Sequence, residues 1–169
     1  MAVIRFAEVP QFYHTYLAYI HDQNLAEAFE QHVKELTHFL QAMPPDKWSY
    51  RYAPDKWSIK EVVQHLIDAE RIFCYRALVF ARKDETVLPG FDENSYAANS
   101  NADARTPQSL MEELALVQKS SQLLFHHFDA AALAASGIAN GNRIYVEAIG
   151  FVIIGHARHH LRIVKERYF

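Results

Sequence analysis

The sequence predicts an all-α fold, a four-helix bundle with a long crossover loop, on three observations. Turn residues are scarce, with five glycines and six prolines in 169 residues. Apolar positions recur at helical rather than alternating spacing. Four long segments with that spacing are joined by one unusually long connection, which is the layout of a bundle. The length is that of one domain, residues 1–169.

In chain order, residues 10–20 read as a short helix ahead of the bundle. The first long helix covers residues 24–43 and stops at Pro44-Pro45, because proline lacks the N–H and clashes with the preceding turn. The second follows Ser58, an N-cap with Glu61 three residues on as a capping box, and continues to Arg82. Thr106 followed by Pro107 caps and starts the third, which reaches Phe128. The fourth opens near Gly141-Asn142 and runs to Tyr168. Between the first two helices, Asp46-Lys47-Trp48-Ser49 recurs as Asp55-Lys56-Trp57-Ser58, an echo too short for a repeat architecture. The connection at residues 84–105 is long enough to suggest function, and Phe91 and Tyr96 within it suggest a docked loop.

Composition excludes several classes of function. A single cysteine, Cys74, forbids an intrachain disulfide or a cysteine zinc ribbon. Seventeen basic and twenty acidic residues, well mixed, give no electrostatic footprint for nucleic acid. No stretch approaches the length of a membrane span, and the N-terminus lacks the pattern of a signal peptide. The expectation is a soluble, cytoplasmic protein. Histidine is the residue type that stands out, with ten copies.

The run Gly155-His156-Ala157-Arg158-His159-His160 holds three of them. On a helical wheel with His156 at zero, the charged residues Glu147, Arg158, Arg162, Lys165 and Glu166 gather between about 180° and 280°. The opposite, apolar stripe carries Ile149, Val152, Ile153, Ile163 and Val164, and His160 lies in it at about 40°. His159 falls at about 300°, toward the flank. His156 and His160 therefore form the pair, at the i and i+4 spacing by which one helix face presents two imidazoles to a metal. Two hydrogen-bonded core histidines would give the same pattern. No HExxH motif occurs, and Glu61 precedes His65 by four residues rather than the three of a di-iron bundle.

A metal needs a further ligand. His65 lies at the edge between the polar and apolar faces of the second helix, so its periodicity allows an inward orientation without requiring it. His32 lies near the centre of the first helix's apolar stripe and reads by default as a core histidine bonded to a carbonyl. His14, His21, His38, His126 and His127 sit near helix ends or polar faces and carry no assigned chemistry. Glu70 points into the apolar half of its helix, and Arg76 lies near the angle of His65, where it would serve an anion or a salt bridge. Gly155 reads as a point of close approach. Cys74 has no histidine three or four residues away and reads as a structural thiol.

The tryptophan-serine helix start at Trp57-Ser58, the histidine within Gln64-His65-Leu66-Ile67-Asp68-Ala69-Glu70-Arg71 and the terminal GHxxHH resemble the DinB-like superfamily. The likeness is to its branch of bacillithiol S-transferases and metal-dependent hydrolases, and it covers nearly the whole chain. The resemblance implies an up-and-down four-helix bundle, usually a homodimer, with one divalent metal held by three histidines. Carried over by position, these are His65, His156 and His160, which fills the place that the wheel left open.

Three neutral imidazoles with no protein anion would leave a divalent cation Lewis-acidic and open to a further ligand. Histidine ligation suits zinc, nickel, iron or copper. The resemblance favours transfer of a low-molecular-weight thiol to an electrophilic small molecule. Hydrolysis of a small ester or amide is the alternative, and a non-catalytic metal- or ligand-binding dimer is a third reading. His159, Glu70, Asp92 and Glu93 are the candidates for a general base. A fourth protein ligand, such as His32 or His159, would favour a structural site.

Overall fold

The computed structural model describes residues 8–20 and 24–169, so His21 lies outside the described residues. A single 3-10 turn, Gln11–Tyr13, leads into α1, His14–Leu17. Helix α2 spans Leu25–Gln41, and the Asn24 side chain accepts from the backbone N–H groups of Ala26 and Glu27 at its start. Pro44 and Pro45 then end it as expected. Helix α3 spans Ile59–Ala81 and opens on the full capping box, in which Ser58 and Glu61 each accept the other's backbone N–H. Helix α5, Pro107–His126, carries Thr106 as its cap and proline in its first turn.

The structure departs from the sequence reading after α3 and again after α5. Within the crossover, Asp92 accepts from the N–H groups of Asn94 and Ser95 and starts a short helix, α4, Glu93–Asn99. Beyond α5 come a short helix, α6, Ala130–Ala134, and an antiparallel hairpin of β1, Ser136–Ala139, with β2, Asn142–Tyr145. The last helix, α7, therefore begins at Val146 and spans Val146–Arg167, rather than opening near Gly141. The cause is local: Asn140 and Gly141 both take positive φ, 50° and 72°, as a two-residue hairpin turn requires. The strand packs closely on α3, since a Cβ placed on Gly137 would fall 2.1 Å from the Phe80 ring. Leu88 of the crossover bonds on either side of Ala139 at the end of this strand, its N–H donating to the Ile138 carbonyl and its carbonyl accepting from the Asn140 N–H.

The four long helices make the expected bundle. Helix α3 packs mainly on α5 and α7, and α2 packs on the same two, so α2 and α3 occupy opposite corners. Two helices run each way. Arg71 pairs with Glu113 and Cys74 with Ser121, so α3 and α5 share one sense. Tyr168 reaches Trp57 while His156 faces Phe73, so α7 opposes α3. The long crossover lets α5 repeat the sense of α3. Among the described residues, no helix is long and apolar enough to cross a membrane.

The apolar interior is in two parts. One cluster is built around Phe73, Phe80, Phe151 and Ile154, and the other around Leu36, Trp48, Ile67, Leu110 and Val164. Between them lies a layer of buried polar side chains: His32, His65, Glu70, Gln118, Ser121 and His156.

Candidate metal centre

Helices α3 and α7 run antiparallel and set His65 opposite His156 and His160. His65 and His156 are 7% and 6% exposed. The Nε2 atoms of His65 and His156 stand 2.9 Å apart, and those of His160 and His156 3.1 Å apart. All three potential ligand atoms lie within 4.8 Å of one another. The inward orientation that periodicity left open for His65 is the one adopted.

The donor set fits a metal ion on its chemistry. A neutral imidazole Nε2 carries either one proton or one lone pair, so the His156 atom cannot make ordinary hydrogen bonds to two other Nε2 atoms at once. A cation at the centre of the three resolves that conflict. Donors held at about 2.0–2.1 Å from one ion stand about 2.9–3.4 Å apart, between perpendicular and tetrahedral placement. The two observed Nε2 spacings, 2.9 and 3.1 Å, fall in that range.

Electrostatics keeps the lone pairs available. Burial lowers His65 to about 4. For His160, burial first, then the neighbouring His65 and His159, lower the pKa to about 3. His156 is held well below the ordinary imidazole value, chiefly by burial and then by His160, His65 and His159. Near neutral pH all three rings are uncharged and able to ligate.

Aromatic side chains wall the site. The Trp57 ring lies 4.8 Å from that of His65 and stacks at 6.3 Å from His160. Phe73 stands 5.9 Å from His156, and Tyr16 meets His156 edge-on at 5.3 Å. Tyr16 is brought there by Gly155: a Cβ at that position would fall 2.3 Å from the Tyr16 carbonyl oxygen. The close approach inferred for Gly155 is thus between α7 and the α1 segment. Sequence reading did not place Tyr16 or Phe73 at the site, and only this glycine pointed to such a neighbour.

The other candidates take different places. His159 lies on the flank of α7, its ring 5.3 Å from Tyr16 and its Nδ1 buried without a hydrogen-bond partner. His32 is buried, and its Nε2 is 3.5 Å from Gln118 Nε2. Neither joins the three-histidine group. Among the described residues, therefore, no fourth protein ligand closes the site. Glu70 is buried and lines the same small internal void as His156, together with Phe73 and Ile153. Asp92 serves as the cap of α4. Glu93 raises Tyr16, although burial of the phenol is the larger cause. This places the start of α4 within electrostatic reach of the aromatic wall. Arg76 is buried on α3 and donates from Nη2 to the Pro89 carbonyl oxygen at 2.9 Å. Cys74 is pushed up to about 12 by burial, which suits the structural role expected of it.

The sequence pattern of the DinB superfamily matches residues 28–164. Among solved structures, YfiT from Bacillus subtilis superposes with a TM-score of 0.75 at 15% identity, covering 84% of this chain and 82% of that one. YfiT is described as a probable metal-dependent hydrolase with an unusual four-helix bundle topology. No curated protein matches the chain. With the family pattern spanning α2 to α7 and the same bundle formed, the chain belongs to the DinB superfamily.

Proposed function

We propose that His65, His156 and His160 hold one divalent cation and that the protein is a metal-dependent enzyme that transfers a small thiol to an electrophilic molecule. The observation that carries this reading is the convergence of three uncharged imidazoles, two buried and one half-buried, with no fourth protein ligand among the described residues. A cation held there supplies Lewis acidity to whatever reaches its open positions. Trp57, Phe73 and Tyr16 keep the surroundings apolar, which strengthens attraction between the cation and an anionic group.

Thiol transfer is favoured over hydrolysis by what surrounds the histidines. No carboxylate hydrogen-bonds to any of the three rings among the described residues. Thiolate attack on an electrophile needs little proton transfer from the protein, whereas expelling an alcohol or amine from an ester or amide calls for a general acid or base. Hydrolysis is the second reading, supported by the description of YfiT and by Glu70. That carboxyl lines a void with His156 and is raised to about 7, chiefly by burial. A panel assay separates the two. Metal-loaded protein is incubated with low-molecular-weight thiols plus an electrophile, and in parallel with small esters. Turnover that requires the thiol supports transfer, and thiol-independent ester cleavage replaces it with hydrolysis.

A further inference from the structure

Arg76 is 4% exposed, yet among the described residues no carboxylate lies within ion-pair distance of it. Buried arginines are as a rule paired, because a guanidinium out of water needs a compensating negative charge. The contacts it makes are neutral. Nη2 donates to the Pro89 carbonyl oxygen at 2.9 Å, the Tyr13 phenol is near enough for the guanidinium to act on its pKa, and the Phe73 ring centroid is 5.8 Å from Cζ. Five N–H donors in a planar fork exceed what one carbonyl and one phenol can absorb. By contrast, the arginines that fasten the bundle carry their carboxylates: Arg71 and Arg105 share Glu113, and Arg51 holds Glu61 and Asp103.

Its position links this charge to the three histidines. The Phe73 ring stands 5.8 Å from the Arg76 Cζ and 5.9 Å from the His156 ring. Tyr13 packs at 6.1 Å from Phe73 and at 6.2 Å from Tyr16, the ring that meets His156 edge-on. Arg76 also lies where three parts of the chain join: α3, the crossover at Pro89 and the segment leading into α1.

We propose that Arg76 is the anion-recognition group of the site. It takes the carboxylate of a small substrate or thiol whose reactive end lies at the histidines. The part concerning the reactive end rests on the proposed metal-dependent function; the affinity of Arg76 for a carboxylate does not. A guanidinium fork binds a carboxylate through two parallel hydrogen bonds, which a neutral amide of the same shape cannot match.

The test compares mercaptopropionate with mercaptopropionamide by calorimetric titration into metal-loaded protein, with metal content measured on the same samples. The carboxylate is expected to bind roughly tenfold or more tightly than the amide, and Arg76→Gln is expected to remove that preference at unchanged metal content. Equal affinities in the wild type, or a preference that survives Arg76→Gln, would overturn the proposal. The same comparison on chelator-treated protein uses propionate and propionamide and reads the thermal midpoint. It reports on Arg76 alone, so loss of the metal-centre reading would not be mistaken for loss of this one. If Arg76→Gln does not fold, the Arg76 Nε–H resonance of the wild-type protein decides. It must move on adding propionate and stay in place with propionamide, and a resonance unmoved by propionate counts against the subsite.

Discussion

Burial pushes the Glu70 carboxyl from its ordinary 4.5 up to about 7, with the Ser121 hydroxyl beside it acting in the opposite direction. The folded chain therefore holds a proton that the unfolded chain releases at lower pH. Its contribution to stability is complete below about pH 4.5 and is lost as pH rises toward 7. Glu70→Gln keeps the shape and removes the titration. In metal-free protein the variant should match the wild type near about pH 5 and exceed it by a few kcal/mol near about pH 8, read from urea midpoints. Parallel stability curves for the two proteins would show that Glu70 is not the group responsible. The buried placement of Glu70 was legible in the sequence, because the wheel put it on the apolar half of its helix. Its partner was not, because Ser121 stands 51 positions away in sequence from Glu70 and nothing local couples α3 to α5.

Helix boundaries were legible where side-chain chemistry sets them. Ser58 with Glu61, Thr106 with Pro107, and Pro44-Pro45 all act where the sequence places them. Ser58 does more than cap: its hydroxyl donates to Asp103 at 2.6 Å, which ties the end of the crossover to the start of α3. Ser58→Ala should cost roughly 1–2 kcal/mol, somewhat above an ordinary cap, measured by denaturant unfolding. A loss of only a few tenths would place the crossover's attachment in the Arg51 and Lys60 contacts to Asp103 instead. The start of α7 was not legible, because residues 141–145 carry apolar positions that suit either period and the positive φ of Asn140 decides for a hairpin. Gly155 acts between elements. Gly155→Ala forces a methyl against the Tyr16 backbone, so α1 must lift from α7, at a cost of about 1–3 kcal/mol. Limited proteolysis within residues 10–20 should accelerate in the variant, and an unchanged cleavage rate would mean that the segment yields without detaching.

Across the whole molecule, a polar layer divides the core into two apolar clusters; His65 and His156 lie in that layer, and the half-buried His160 adjoins it. Such a layer is unfavourable to bury unless its groups find partners. A cation shared by His65, His156 and His160 is the partner that their spacing fits. The pair on α7 was legible from one wheel, because i and i+4 positions share a face. The third member came from resemblance, and bundle packing places it there because α3 crosses α7 in the opposite sense. If the site is filled, metal stabilises the native state by mass action, about 3 kcal/mol at a free concentration a hundredfold above Kd, and a chelator should lower the thermal midpoint accordingly. The most direct test is metal content per chain, by elemental analysis after dialysis against divalent ions, for the wild type and for His65→Ala, His156→Ala and His160→Ala. One equivalent in the wild type, with each variant folded and reduced to a small fraction of that, is the expected result. Full metal content in the variants, or none in the wild type, would contradict a three-histidine centre.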